Sequence, residues 1–157
     1  MQETPPLSIQ RERFFLASVV DSSKDSVVTI DFNSIITSWN KAAERLYGYG
    51  AKEVIGKSLA IVVLPEDIRQ LLVNIERIKH SKNVEIYDTI RIRKGGELIN
   101  LEIMLSPVKN ESDEVIGVST IARDITAWAK ADAALRTSEE NSVLLFHKHL
   151  SGFIRPT

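Results

Sequence analysis

Catalysis in this chain would have to come from very few side chains. His80, His147 and His149 are its histidines. His147 and His149 could serve as phosphoacceptors, but neither is followed by the Glu-x-x-x-Pro of such a box, so both read as solvent-facing. Glu66-Asp67 and Glu139-Glu140 are carboxylate pairs of the kind that general acid-base chemistry uses. One stands at a helix start and the other on a charged helix, where their role is to oppose the helix dipole and hold water. Gly95-Gly96 is too short to cradle a phosphate and lacks a strand-to-helix setting, which leaves a hairpin turn. There is no cysteine. Disulfides, thiolate metal sites and thiol nucleophiles are excluded together, and what remains is binding.

The stretch that organises the chain is Ile35 to Lys57, IITSWNKAAERLYGYGAKEVIGK. A short apolar strand ends at Trp39. Asn40 then caps a helix that carries Ala43, Leu46 and Tyr47 on one face, and Gly48 to Gly50 break it before another helical turn. A small apolar helix over a sheet, walled by aromatics, makes a pocket and not a catalytic centre.

At 157 residues the chain suits one domain with tails. Its 20 Lys and Arg are interspersed with 21 Asp and Glu, so no basic face offers itself to nucleic acid. No apolar run reaches the roughly 20 residues of a membrane span, and MQETPPLSIQRER lacks the apolar core of a secretory signal. A cytoplasmic segment is expected, with a membrane-anchored parent left open.

Taken in order, residues 1–9 form a polar lead with Pro5-Pro6. Phe14, Phe15, Leu16, Val19 and Val20 then make a short amphipathic helix ending near Asp21. Val27 to Ile30 and Ile35 to Trp39 flank Asp31-Phe32-Asn33-Ser34, a hairpin in which Asn33 can take positive φ. Pro65, Glu66 and Asp67 open a longer helix whose Ile68, Leu71, Leu72, Ile75 and Ile78 form an inward stripe. Three strands follow. Val84, Ile86, Ile90 and Ile92 alternate, then Ile99, Leu101, Ile103 and Leu105 after the Lys94-Gly95-Gly96 turn, then Val115 to Asp124. Beyond Ile125 the run TAWAKADAALRTSEE favours helix, with Ile125, Trp128 and Leu135 on a seam that Asp132 interrupts. The fold class is α+β, around one five-stranded antiparallel sheet.

Five blocks in this order carry a resemblance: ITSWNKAAERLYGY, EVIGKS, LPED, TIRIRKGGELINLEIMLSPV and VIGVSTIARDIT. Together they resemble a PAS domain with its C-terminal PAC segment, the sensor-box family, over Arg13 to Thr126. The resemblance implies a PAS fold with short helices on one sheet face, an N-terminal amphipathic helix and a C-terminal signalling helix. It implies a sensor domain at 10–126, a signalling helix or linker at 127–141, and at 142–157 the start of a second repeat. That last segment, SVLLFHKHLSGFIR, loosely repeats FFLASVVDSSKDSVV. Ser34 stands where a turn glycine is usual, Gly50 where a capping Ser or Thr is usual, and Gly95 where an aspartate is usual.

What the resemblance implies for function is a non-enzymatic sensor and dimerisation module of a bacterial or archaeal sensor histidine kinase. A diguanylate cyclase or chemoreceptor parent, a ligand-free dimeric spacer and, more remotely, a small-molecule enzyme stay open. Its pocket would be lined by Ile36, Ala43, Leu46, Tyr47, Ile55, Ile61, Leu72, Ile75, Ile90, Ile103 and Val118. Glu44 and Lys57 match an ion pair, and Asp124-Ile125-Thr126 the junction to the output helix. No cofactor is expected, though a small ligand is left open. Haem would need an axial histidine within the long helix, and His80 falls at or beyond its end. Light-driven flavin chemistry needs a cysteine, and no polar cluster suits a flavin edge. The expected partners are a second copy, joined through Phe14, Phe15, Val19 and Val20, and an output domain of the same polypeptide. Neither nucleic acid nor direct membrane insertion is expected.

Overall fold

The computed structural model describes residues 6, 11, 18–21 and 23–147, with side chains as far as 137. Phe14, Phe15 and Leu16 lie outside the described residues, as do most of the polar lead and 148–157. Two compact units divide at Asp124 and Ile125.

The first unit is built on one sheet: β1 (Ser26–Ile30), β2 (Ile36–Trp39), β3 (Glu85–Ile92), β4 (Leu98–Lys109) and β5 (Val115–Asp124). Its strand order is β2-β1-β5-β4-β3, antiparallel throughout, as the resemblance implies. Between β2 and β3 run α1 (Lys41–Tyr47), α2 (Ala51–Val54), the 3-10 turns Leu59–Val62 and Pro65–Asp67, and α3 (Ile68–Ser81). The inward residues of β1, β4 and β5, among them Val28, Ile30, Ile99, Leu101, Ile103, Leu105 and Val118, meet Ala43, Tyr47, Leu71, Ile75 and Ile78 of the helices in one core.

The β1–β2 turn departs from expectation at one residue. Ser34, not Asn33, takes positive φ, at 65°. The Asp31 carboxylate decides this by accepting from both Asn33 N and Ile35 N, at 2.8 and 3.0 Å. That clamp tightens the turn so that reversal falls on its last residue, where the resemblance has glycine. At α1 the left-handed C-cap is Gly48 (φ 83°), whose N–H reaches the Glu44 carbonyl. A side chain there would press on Lys94 of the β3–β4 hairpin, whose own N–H binds the Tyr47 carbonyl at 2.8 Å. The hairpin tip is thus docked on the end of α1.

Asn40 makes more contacts than an N-cap requires. Only 2% exposed, its Oδ1 accepts from Ala43 N (2.9 Å) and Val27 N (3.0 Å), and its Nδ2 donates to Val20 O (2.9 Å) and Asp25 O (3.1 Å). One amide therefore joins α1, the start of β1 and the helical turn at 18–21.

The second unit is described by α4 (Thr126–His147), which continues past the boundary expected at 141. Asp132, the residue that breaks the apolar seam, pairs with Arg136 one turn on, at 3.1 Å.

Asn40→Ala is expected to destabilise the first unit by about 2 to 4 kcal/mol, because it removes a cap and strands two carbonyls and two N–H groups. Asn40→Asp keeps the acceptor and should fall between. Urea unfolding of the three proteins measures this; a change in Asn40→Ala below about 0.5 kcal/mol, the usual range of a surface substitution, would mean that water replaces the amide freely.

Candidate functional site

The pocket expected between sheet and helices divides in two. Ile36, Ala43, Tyr47, Ile75, Ile103 and Val118 are buried together in the core, with Leu46 and Ile61 partly buried against it. Ile55, Leu72 and Ile90 are exposed instead. Ile55 follows α2 directly, outside the apolar turn. On α3 the buried positions are Leu71, Asn74, Ile75 and Ile78, so the stripe is narrower than the run of isoleucines and leucines, and Leu72 stands beside it.

Ile90 is turned outward by register. Residues directly opposite in an antiparallel pair share a face. Tyr87 pairs with Ile103, Thr89 with Leu101 and Arg91 with Ile99, and all three β4 partners are buried. The polar set Glu85, Tyr87, Thr89 and Arg91 therefore faces inward, while Ile86 and Ile90 lie on the outer face.

This places an unusual group in the interior. Arg91 is 4% exposed, yet its side chain makes a single hydrogen bond, Nη1 to Thr89 Oγ1 at 3.2 Å, and no carboxylate of the described residues pairs with it. Removing a guanidinium from water costs several kcal/mol unless a partner compensates. The Tyr87 hydroxyl is also buried and has no hydrogen-bond partner among the described residues. The Tyr47 phenol feels both groups. Burial pushes its pKa up to about 12; Arg91 and the nearby Ser26 hydroxyl oppose this, and Tyr87 adds to it. The Ser26 hydroxyl makes no well-formed hydrogen bond within the described residues.

A cleft of about 430 Å³ opens between α3 and β3, lined by Gln70, Asn74, Arg77, Glu85, Ile86 and Tyr87. Asn74 is buried and its Oδ1 accepts from Gln70 Nε2 at 2.9 Å, while Arg77 and Glu85 pair at 3.0 Å across the two elements. None of the residues expected in the pocket lines this cleft. His80 is in the last turn of α3 on its exposed side, paired with Glu76 at 3.0 Å. Among the described residues no three histidine, aspartate or glutamate side chains gather as a metal site requires.

The expected ion pair of Glu44 and Lys57 does not form. Glu44 Oε2 accepts from Ala51 N at 2.8 Å, and Glu53 Oε2 accepts from Gly50 N at 2.6 Å. Gly50 has no side chain to cap α2, so two carboxylates cap it instead, and Glu44 is drawn away from the exposed Lys57. The other Glu53 oxygen pairs with Lys94 at 2.7 Å, which lowers the pKa of Glu53 and raises that of Lys94.

A description of the PAS domain family matches residues 24–127, two thirds of the chain and all five strands. The chain belongs to the PAS domain family. This PAS domain is 28% identical over 131 residues to a two-component system protein A of Emericella nidulans, across 79% of this chain and 18% of that one. It is 24% identical over 127 residues to the cell-division control histidine kinase PdhS of Brucella ovis, across 81% of this chain and 12% of that one. Among solved structures, the PAS domain of a protein from Colwellia psychrerythraea superposes with a TM-score of 0.67 at 28% identity, covering 76% of this chain and 98% of that one. The chain spans between 10% and 18% of the length of the curated relatives it matches, so it corresponds to the sensor domain of signalling proteins and not to whole relatives. No helix of the described residues is long and apolar enough to cross a membrane.

The Tyr47 phenol makes the PAS core sensitive to alkali. Its pKa rises from 10.0 to about 12 on folding, so its contribution to stability is complete below pH 10 and is lost as the pH climbs to about 12. The loss is on the order of 2 to 3 kcal/mol. Tyr47→Phe should flatten the alkaline limb by that amount in urea titrations across this range; an unchanged limb would mean that Tyr47 reaches water.

Proposed function

We propose that this PAS domain is the sensor and dimerisation module of a sensor histidine kinase of a two-component system, passing the state of a small ligand or partner to an output domain of the same polypeptide. The observation that carries the reading is the position of β5. It is the central strand, paired to β1 and β4, and it ends at Asp124 two residues before α4 begins at Thr126. A change on the inner face that shifts Val118, Thr120 or Ala122 acts on the strand that leads into the helix. A ligand need only bind two arrangements of that strand unequally to shift their populations. The kinase parent is supported by the likeness to PdhS and to the two-component protein. A cytoplasmic location is part of the same proposal.

A homodimer is supported by the outer sheet face. Ile86 pairs with Met104, Met104 with Ile121 and Ile121 with Val27, an apolar row across four strands, and Ile86 is 65% exposed. Val84, Ile90 and Leu98 are also exposed, and so are Val19 and Val20 of the turn at 18–21. Apolar surface of this extent is stabilised by a partner, and a two-fold axis supplies the same face twice. A ligand-free dimeric spacer is the second reading, favoured by the close packing of the core residues expected to line a pocket.

Sedimentation of the wild type should show a dimer at micromolar concentration, with Ile86→Glu or Val19→Glu raising the dissociation constant by about tenfold or more, the effect of roughly 1.4 kcal/mol. Truncation after Arg136 should do less. A monomeric wild type, or a dimer lost only on truncation, would refute this interface. For the relay, inserting two residues between Ile125 and Thr126 of the full-length polypeptide turns the outgoing helix by roughly 200°. Autophosphorylation should then stop following the input while the dimer persists; unchanged regulation would sink the relay.

A further inference from the structure

The inner face of β3 carries a feature that a purely structural core does not need. Arg91 is buried without a carboxylate partner, and Tyr87, four residues back on the same face, has a buried hydroxyl without a hydrogen-bond partner among the described residues. The two converge. The Arg91 guanidinium turns back along the strand to Thr89, the residue between them, and Tyr87 also lines the α3–β3 cleft. Of the five N–H donors of an arginine, one is used among the described residues. A cation in this position is costly when the site is empty and strongly attractive to an anion that enters.

We propose that Arg91 and Tyr87 form the recognition site for a small organic monocarboxylate, which enters by the cleft beside Asn74 and Tyr87. The proposal rests on the ligand-sensing reading and names the ligand class of that sensor. A carboxylate fits for three reasons. The planar guanidinium fork binds its two oxygens in parallel, and the Tyr87 hydroxyl can donate to one of them. The site holds one net positive charge, since Arg77 and Glu85 at the mouth neutralise each other, so a monoanion balances it and a phosphate dianion does not. The Ile86 side chain, which lines the cleft beside Tyr87, suits a short apolar tail. Tyr47 stays neutral, leaving Arg91 uncompensated until the ligand arrives.

The test uses the whole chain, with acetate, propionate and butyrate as probes and sodium chloride and inorganic phosphate at matched ionic strength as controls. The thermal midpoint of the wild type should rise with the logarithm of carboxylate concentration, more for propionate or butyrate than for acetate, and not with the controls. Tyr87→Phe should weaken the apparent affinity by about tenfold, the effect of one lost hydrogen bond to a charged group. Arg91→Met should remove the response while leaving the ligand-free protein at least as stable, because it deletes an uncompensated buried charge. Should Arg91→Met fail to fold by circular dichroism, Arg91→Lys keeps the charge without the fork and should bind at least tenfold more weakly. A response equal in chloride or phosphate, or one that survives Arg91→Met, overturns the assignment. Native mass spectrometry separates the two levels of failure: a retained neutral molecule with no carboxylate response overturns the anion site and leaves the sensor reading standing. A chain that retains nothing and responds to none of these probes overturns the anion site and favours the ligand-free spacer.

Discussion

The first unit depends on one buried amide. Asn40 has two acceptor sites and two donors on its side chain, and all four are used, by Ala43, Val27, Val20 and Asp25. Only an amide can do this. A hydroxyl has one donor, a carboxylate has none, and either would leave partly buried carbonyls uncompensated. The consequences spread through the sheet. Val27 is held at the start of β1, β1 pairs with both β2 and β5, and the helical turn at 18–21 is tied to the same point. The placement of the helical turn at 18–21 and the direction of α1 across the sheet are therefore set by one side chain.

Much of this architecture is legible in the sequence because apolar periodicity reports burial. The strict alternation of Ile99, Leu101, Ile103 and Leu105 gives β4 and its inner face without ambiguity. The same rule misleads on β3, where both alternating sets look like a face. Val84, Ile86, Ile90 and Ile92 are apolar, and hydrophobicity alone turns them inward. Register overrides hydrophobicity there. The Lys94-Gly95-Gly96 turn pairs Arg93 with Glu97, and counting back from it sets Arg91 opposite Ile99 and Tyr87 opposite Ile103. A one-residue offset reverses every side chain, so turn length carried information that composition did not. Arg91, Tyr87 and Asn74 were missed because polar residues on a buried face run against the pattern being sought. The turn arithmetic would have found the first two.

A second limit appears at Glu44. Its match to an ion-pairing position was sound as a pattern, but the partner of a carboxylate depends on which donors nearby are unsatisfied. Gly50 leaves the N-terminus of α2 without a hydroxyl cap, and backbone N–H groups in a partly buried turn compete better for Glu44 than a solvated lysine does. The departure from the family at Gly50 and the lost pair at Lys57 are one event. Glu53 completes it, capping Gly50 with one oxygen and holding Lys94 of the hairpin with the other.

These arrangements bear on how binding near β3 could reach β5. β3 touches β5 only through β4, whose inward residues are closely packed, and packed cores move between discrete arrangements more readily than they deform. A group bound at Arg91 would act on Ile99 and Leu101 of β4, and Leu101 lies opposite Asp124, the last residue of β5. The path from Arg91 to the end of the sheet is thus two strand pairings long. It runs through backbone hydrogen bonds and not through a chain of flexible side chains. A displacement at one edge of this sheet would meet little room for dissipation before the end of β5, because the intervening strand is buried on its inner face and paired along both sides.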